Sequence, residues 1–443
     1  MAENLNIKLT TGKIFLYTLP VILSNLFSNI YGLVDSIFVA NLVGIEALSA
    51  VNIVSPFLAV SLAVGTMLGA GGSAIVAKLI GEGKEKEARS SFTLFFIVGM
   101  SISVLFLALG LVFEKQILFL LGADDSVYGY CKDYALPIFI SVPFMMASII
   151  FQIFLTANGK PSLAFVLSVL GGIINIVFDY ILIKPLGMGV AGAAVATGMG
   201  YGLQTIAGLL YFSLNRKSPL RFSKTKFDGR VLWQGLSNGA SEMVSMLAIS
   251  VTMVAMNNIV MRIIGANGVA AATVVLSAQS LFSAFVMGYS EGVAPLIGYN
   301  YGKGDENGLK KIFKSAMKTI TVLSAITLII SFPLARPIAM IFSDGVKEVE
   351  NLAVGGIFVS AAAFALMGFN IFASSMFTAF GDGKVSAILA LFRTFVFLII
   401  PLVSLPFVFG IRGVWISLPL AEICSIIMSV YFFRKKKALY RYL

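Results

Sequence analysis

Polar side chains recur at helical spacing inside three long apolar stretches of the first half of the chain. They are Ser24, Ser28, Tyr31 and Asp35 in the first stretch, Ser168, Asn175 and Asp179 in the fifth, and Thr197, Tyr201 and Gln204 in the sixth. Residues three or four apart share one face of a helix, so the three stripes could line one oxygen-rich chamber. Carboxylate, amide and hydroxyl oxygens suit a hard cation such as Na⁺, and close carboxylates could instead share a proton. A structural hydrogen-bonded contact between helices is the alternative.

The composition indicates that these stretches cross a membrane. Of the 443 residues, 58% are hydrophobic and 12% are charged, whereas soluble domains carry about 25% charged residues. Crossing the hydrocarbon takes roughly 20 mostly apolar residues in a helix, and a carboxylate there costs at least about 3 kcal/mol. The predicted spans are Ile14–Ala40, Val51–Ile80, Phe92–Phe113, Tyr134–Ala157, Leu163–Ile183, Ala191–Leu214, Val231–Ile264, Ala270–Tyr299, Ile312–Leu334, Leu352–Ala379, Val385–Phe409 and Gly413–Phe433.

The distribution of Lys and Arg predicts the orientation of these spans. The net charge is +11, and the cations concentrate in alternate connections, including the polar break Leu214–Arg230 and the tail Arg434–Lys437. This is the positive-inside pattern, which puts both termini in the cytoplasm of an inner or plasma membrane protein. Because the charge follows the topology, we expect no nucleic-acid partner. The first apolar run is a full span, so we expect no cleaved signal.

The two halves of the chain resemble each other at an offset of 221 residues, which places Gly44 on Gly265 and Phe92 on Phe313. The repeat predicts an all-α polytopic membrane protein of twelve transmembrane helices. Its lobes are residues 1–213 and 231–443, joined by a cytoplasmic linker, 214–230. Each lobe holds six helices, so the repeat is parallel, and two such lobes would face each other across a cleft.

The repeat also gives an internal control for the polar residues of the first half. At this offset Asp35 aligns with Met256; after a one-residue slip further along the chain, Asn175 aligns with Phe397 and Asp179 with Pro401. The second half therefore builds the same scaffold without these polar groups, which argues against a purely structural role for them.

The sequence resembles the multidrug and toxic-compound extrusion (MATE) family nearly from end to end. The resemblance rests on "LVDSIFVANLVGIEALSAV", "NIVFDYILI" and "GYNYGKGD". It implies that Asp35, Asn175, Asp179 and Thr197 form a cation site in the first lobe, which could hold Na⁺, with Tyr31, Tyr201, Gln204 and Ser28 as further candidates for the site or the cavity. It also implies export of small amphipathic, often cationic substrates, driven by inward flow of Na⁺ or H⁺ and needing no cofactor.

Other polar or kinking residues in the spans are candidates for separate roles. Pro20 could let the first helix bend, because proline lacks the backbone N–H. Some family members carry a second set of acids in the other lobe, but the tenth span has none, so we expect no cation site there despite Glu242. Glu291 lies near Gly288 and Pro295, which predicts a break in the eighth span. Arg393 could pair with Glu422 or Glu242.

Two other functions fit parts of the pattern. A flippase for lipid-linked saccharides or other lipid precursors would need cavity cations for anionic head groups, and Arg393 is the one Lys or Arg well inside a predicted span. An intramembrane aspartyl protease could use the Asp pair, but a six-plus-six repeat has no role in such an enzyme. We therefore expect a monomeric transporter in the lipid bilayer and not an enzyme.

Overall fold

The computed structural model describes residues 5–343 and 345–443, and over those residues the chain is helical without a β-strand. Within these described ranges, fifteen α-helices and one π-helical turn follow one another. They are α1 (Thr11–Leu42), α2 (Ile45–Gly81), α3 (Glu85–Val112), α4 (Glu114–Leu120), α5 (Tyr128–Ala157), α6 (Pro161–Ile183), α7 (Gly189–Leu214), α8 (Gly229–Ile263), α9 (Ala266–Lys303), α10 (Glu306–Phe342), α11 (Lys347–Phe380), α12 (Gly383–Leu391), the π turn (Phe392–Val396), α13 (Ile399–Ser404), α14 (Pro406–Phe409) and α15 (Ile411–Tyr440).

Eleven stretches of the described chain are helical, long and apolar enough to cross a membrane. They correspond to eleven of the twelve predicted spans, and the chain is therefore a multi-pass membrane protein. The predicted sixth span is also a long helix, α7, but it is not among the eleven. Its glycines and the polar side chains of Thr197, Tyr201 and Gln204 make it less apolar than the others.

The predicted span Val385–Phe409 is confirmed as a stretch able to cross a membrane but is irregular, and one other helix prediction needs correction. The predicted span Val385–Phe409 is not one regular helix, since it consists of α12, the π turn, α13 and α14. Pro401 and Pro406 lie within it, and proline cannot donate a helical hydrogen bond. The predicted break near Glu291 was wrong, because α9 runs without interruption through Pro295.

The glycines near Glu291 serve helix packing instead of a break. A Cβ atom on Gly288 would lie 2.5 Å from Cα of Ile22, and one on Gly292 would lie 2.9 Å from Cβ of Thr18. Such distances are shorter than van der Waals contact. Glycine at both positions therefore allows the first half of α1 to pack directly against α9.

Packing divides the chain into two compact units. Unit 1 contains Leu23–Gly239 and residues up to Asn6, and unit 2 contains Ile7–Ile22 and Ala240–Leu443. These units are defined by packing and not by the repeat, so their bounds differ from the lobes 1–213 and 231–443. Both α1 and α8 contribute to both units, and Pro20 lies in α1 just before it passes into unit 1.

An aromatic cluster recurs in both units and follows the offset of the repeat. In unit 1 its members are Phe92, Phe151, Phe212 and Phe222, and in unit 2 they are Phe313, Phe372, Phe433 and Tyr442. The first three of each set are 221 residues apart, and the fourth falls one residue short of that offset. In each unit the fourth ring comes from the segment after the last long helix of the corresponding half, so the repeat extends to the packing of that segment.

Candidate functional site

The predicted cation-site residues of unit 1 lie on α1, α6 and α7. Asn175 and Asp179 occupy one face of α6, and both are buried, with Asp179 fully so. Nδ2 of Asn175 donates a hydrogen bond to Oγ1 of Thr197 on α7, at 3.3 Å. Asp35 is partly buried on α1, and its carboxyl group is an electrostatic neighbour of that of Asp179. The structure thus brings together the four residues that the resemblance assigns to the site.

Glycines on α6 allow these helices to approach so closely. A Cβ atom on Gly171 would lie 2.9 Å from the carbonyl oxygen of Gly200 on α7 and 2.3 Å from Nε2 of Gln204. A Cβ atom on Gly172 would lie 2.4 Å from the ring of Phe27 on α1. Because neither glycine has a side chain, α6 packs closely against both neighbours, and Asn175 and Asp179 follow about one and two turns later on α6.

Several oxygen atoms in this cluster have no hydrogen-bond donor among the described residues. They are Oδ1 of Asp35, Oδ1 of Asn175 and both carboxyl oxygens of Asp179, all buried. A buried acceptor without a donor costs about 1–3 kcal/mol, and native proteins keep very few of them. Two neighbouring carboxylates add mutual repulsion. A proton on one carboxyl group, or a cation among the oxygens, would relieve both costs.

Tyrosine hydroxyl groups border the acidic pair. The hydroxyl groups of Tyr31 and Tyr201 lie 3.4 Å apart, and both interact electrostatically with Asp35. Tyr134 on α5 is 3% exposed and interacts with both Asp35 and Asp179. Tyr134 was not predicted as part of the site because it lies at the edge of the fourth span, outside the three polar stripes.

The remaining candidates of the first half surround this cluster. Gln204 packs against the backbone of Gly171. Ser28 is partly buried on α1, about one turn before Tyr31. Ser24, one turn earlier, is buried, and its hydroxyl oxygen has no partner among the described residues. The polar stripe of the first span is therefore a real feature of α1, with Asp35 at its end.

The oxygen-rich cluster fits the coupling ions that the resemblance implies. Its available ligands are carboxylate, amide and hydroxyl oxygens, the donor set preferred by hard cations. The same two carboxyl groups can hold a single shared proton. Met256, the counterpart of Asp35 in the repeat, is instead fully buried in an apolar core of unit 2 with Val275, Phe364 and Trp415.

Unit 2 contains an ion pair between residues of two of its predicted spans. Nη2 of Arg393, in the π turn, lies 2.7 Å from Oε1 of Glu422 on α15, and Nε of Arg393 donates to the same oxygen at 3.0 Å. Nδ2 of Asn370 donates to Oε2 of Glu422 at 2.7 Å, and Ser429 donates to Oδ1 of Asn370 at 2.9 Å. The predicted pairing of Arg393 with Glu422 is confirmed.

Glu242 and Glu291, two further acids within the predicted spans of the second half, are also neighbours. Glu242 on α8 is partly buried and interacts electrostatically with Glu291, which lies exposed on α9.

The amide of Asn370 and the hydroxyl of Ser429, which complete the Arg393 network, were not predicted from the sequence. A lone Asn within the apolar tenth span was the available signal.

Comparison with known proteins identifies the family. The sequence profile of the MatE family matches residues 20–181 and again 243–403. The multidrug export protein MepA of Staphylococcus saprophyticus is 27% identical over 431 residues, which cover 95% of this chain and 93% of that protein. MepA of Staphylococcus haemolyticus is 27% identical over 423 residues, 94% of this chain and 91% of that protein.

Solved structures share the fold at lower identity. MATE in complex with MaL6 superimposes with a TM-score of 0.94 at 22% identity, covering 100% of this chain and 99% of that one. A MOP superfamily transporter from Pyrococcus furiosus gives a TM-score of 0.92 at 22% identity, covering 99% of this chain and 98% of that one. The family profile matches most of the chain in two copies, one in each half, and the chain therefore belongs to the MatE family.

Proposed function

We propose that this protein is a secondary active exporter of small amphipathic, often cationic compounds, driven by inward movement of Na⁺ or H⁺. The relatives that match nearly the whole chain are multidrug export proteins, which supports the substrate class. The observation that supports coupling to an ion is the group of buried oxygen atoms on Asp35, Asn175 and Asp179 that have no hydrogen-bond donor among the described residues. The protein acts as a monomer with both termini in the cytoplasm.

Each residue of the cluster has a distinct task in this proposal. Asp35 and Asp179 supply the negative charge that makes the site selective for cations. The amide oxygen of Asn175 and the hydroxyl of Thr197 would complete the oxygen shell of a bound Na⁺. When the ion is H⁺, one carboxyl group carries it and donates to the other. Either ion removes the repulsion between the two carboxylates, and its release restores that repulsion.

The course of α1 offers a route by which ion binding at Asp35 could change the conformation of the protein. The part of α1 that carries Asp35 belongs to unit 1, whereas the part that packs on Gly288 and Gly292 of α9 belongs to unit 2. Pro20 leaves one helical carbonyl group without its N–H donor, which lowers the cost of bending. We propose that α1 bends near Pro20 when Asp35 changes its charge state, and that this change drives alternate exposure of the substrate site.

The flippase alternative is less well supported. A carrier of anionic lipid precursors needs exposed cations within its spans. Arg393 is neutralised by Glu422, so its guanidinium group is not available to an anionic head group. A hydrolytic role for the Asp pair has no supporting feature beyond the two carboxyl groups.

Transport in proteoliposomes tests the proposal. Efflux of ethidium would be followed under an inward Na⁺ gradient and, separately, under an inward H⁺ gradient. We expect transport under at least one gradient, and we expect Asp35→Asn and Asp179→Asn each to reduce it by about a hundredfold, since either removes a charge that the coupling ion requires.

A matched control separates the site from general effects of an Asp→Asn change. Asp133 lies exposed near the start of α5, and Asp133→Asn should transport within about twofold of the parent. Equal transport by Asp35→Asn, Asp179→Asn and Asp133→Asn would refute the coupling role. Gradient-independent movement of the dye by the parent would refute secondary active export.

A further inference from the structure

The segment between α7 and α8, residues 215–228 (the central segment), is fixed onto unit 1. Nδ2 of Asn158 donates to Oγ of Ser218 at 2.7 Å, and its Oδ1 accepts from the backbone N–H of Leu220 at 3.3 Å. Nε of Arg89 donates to the carbonyl oxygen of Pro219 at 2.8 Å. The segment predicted as a linker is therefore held by side chains of α3 and by Asn158 at the end of α5.

Further contacts extend along the central segment. The backbone N–H of Ser223 donates to Oγ1 of Thr93 at 3.1 Å. The hydroxyl groups of Thr225 and Ser90 lie 2.9 Å apart. Between these contacts, the ring of Phe222 packs into the aromatic cluster of unit 1. With the backbone fixed at both ends, the charged side chains project from a defined surface.

That surface is strongly basic. The exposed cations on and next to the central segment are Arg216, Lys217, Lys224, Lys226 and Arg230. Asp228 is the one acid among residues 215–230, and its carboxylate accepts from the backbone N–H groups of Arg230 and Val231 at the start of α8. Within the described chain, no ion pair engages any of these five side chains.

At the end of the second half, several cations of α15 and of the residue after it have partners within the protein. Nζ of Lys436 lies 2.8 Å from Oδ2 of Asp382, and Arg441 forms an ion pair with Glu306. Lys435 donates to the hydroxyl of Tyr431 at 3.0 Å. The described residues thus provide partners for Lys435, Lys436 and Arg441 at the C-terminal end, and they provide no ion-pair partner for the five exposed cations of the central segment.

Two large aromatic side chains stand beside the unpaired cations. Phe227 is 76% exposed and Trp233 is 71% exposed. Phe227 lies two residues before α8 and Trp233 lies near its start, and α8 is long and apolar enough to cross a membrane. Exposed aromatic residues at the end of a spanning helix are typical of the interface between hydrocarbon and head groups, and clustered cations there attract anionic lipids.

We propose that the central segment is a binding surface for the head groups of anionic phospholipids in the adjacent leaflet. Phe227 and Trp233 insert at the interface, and Arg216, Lys217, Lys224, Lys226 and Arg230 contact the phosphate groups. A soluble polyanion would match the cations but would leave both aromatic side chains in water. Because the backbone is already ordered, little conformational entropy is lost on binding.

Tryptophan fluorescence gives a direct test, because the chain has two Trp residues. Trp415 is 3% exposed in the core of unit 2, so Trp415→Phe leaves Trp233 as the sole reporter. This variant would be reconstituted into phosphatidylcholine vesicles containing either brominated phosphatidylglycerol or brominated phosphatidylcholine at the same mole fraction. We expect brominated phosphatidylglycerol to quench the fluorescence of Trp233 at least about twofold more than brominated phosphatidylcholine does, and we expect this difference to shrink at high salt.

Two charge variants in the Trp415→Phe background complete the test. Lys217→Gln/Lys224→Gln/Lys226→Gln removes three cations of the central segment and should equalise quenching by the two lipids. Arg434→Gln/Lys435→Gln/Lys437→Gln removes the same net charge from the last helix and should retain the preference. Equal quenching in the parent, or the same loss in both triple variants, would overturn the proposal.

Discussion

The buried network around Glu422 yields the most closely defined prediction about stability. Glu422 has 7% of its side chain exposed, and its carboxylate accepts from Nε and Nη2 of Arg393 and from Nδ2 of Asn370. Arg393→Ala removes two of these donors and the compensating charge. Glu422 then remains as an unpaired carboxylate inside unit 2.

The expected cost follows from the burial of the pair. Breaking a buried ion pair by removing one partner costs about 3–5 kcal/mol, because the remaining charge is left without compensation. Arg393 has 24% of its side chain exposed, so water can partly replace it, and we expect about 3 kcal/mol. Replacing both charges by neutral groups of similar volume, as in Arg393→Met/Glu422→Gln, should bring stability to within about 1 kcal/mol of the parent.

Thermal unfolding of the purified protein in detergent would measure both variants. For domains of 150–250 residues a change of 1 kcal/mol shifts Tm by about 2–4 °C, so Arg393→Ala should lower it by about 6–12 °C. The double variant should recover most of that loss. If the double variant unfolds as early as Arg393→Ala, the lost packing of the Arg393 stem decides the outcome and the argument from charge is wrong.

Two further predictions concern packing. Gly171→Ala should lower dye transport about tenfold, because its Cβ atom would meet the backbone of Gly200 and displace the α6 residues of the site by part of an ångström. Gly202→Ala, whose Cβ atom would meet nothing within 4 Å, should transport as the parent does. Equal loss of transport in both variants would refute the packing argument. Tyr442→Ala should cost about 3–5 kcal/mol in thermal unfolding, because Tyr442 is 1% exposed and its ring packs on Phe313. Tyr442→Phe, which loses only the hydrogen bond to the carbonyl of Phe433, should cost about 1 kcal/mol, and a drop as large as that of the Ala variant would contradict the role of the ring.

The spans were predictable from local apolar composition, and the repeat was predictable from matching residues at one offset. Apolar length identifies a membrane helix without knowledge of its neighbours. The offset that aligned Phe92 with Phe313 also aligns their aromatic clusters in the structure. The π turn at Arg393 was not predictable in the same way, because local composition does not distinguish it from a regular helix. The pairing of Arg393 with Glu422 was predicted only as one of two alternatives, since the choice depends on contacts between residues distant in sequence.

The polar stripes predicted which residues of unit 1 come together but not how they are arranged. Helical spacing put Asn175 and Asp179 on one face of α6, and the contact with Thr197 follows from the small residues between α6 and α7. Tyr134 escaped notice because its role depends on where α5 crosses the site. The glycines near Glu291 were misinterpreted, since sequence does not distinguish a helix break from a close crossing of two helices.

Coupled flux through the site of Asp35 and Asp179 is the most direct test of the proposed function. Proteoliposomes with a substrate gradient and no ion gradient would be monitored for dye movement and for the opposite movement of radioactive sodium or of protons. In the parent, we predict that dye movement drives one of the two ions in the opposite direction, and in Asp179→Asn that no ion moves. Undiminished ion movement in Asp179→Asn would contradict the assignment of the coupling site to the buried oxygens of unit 1.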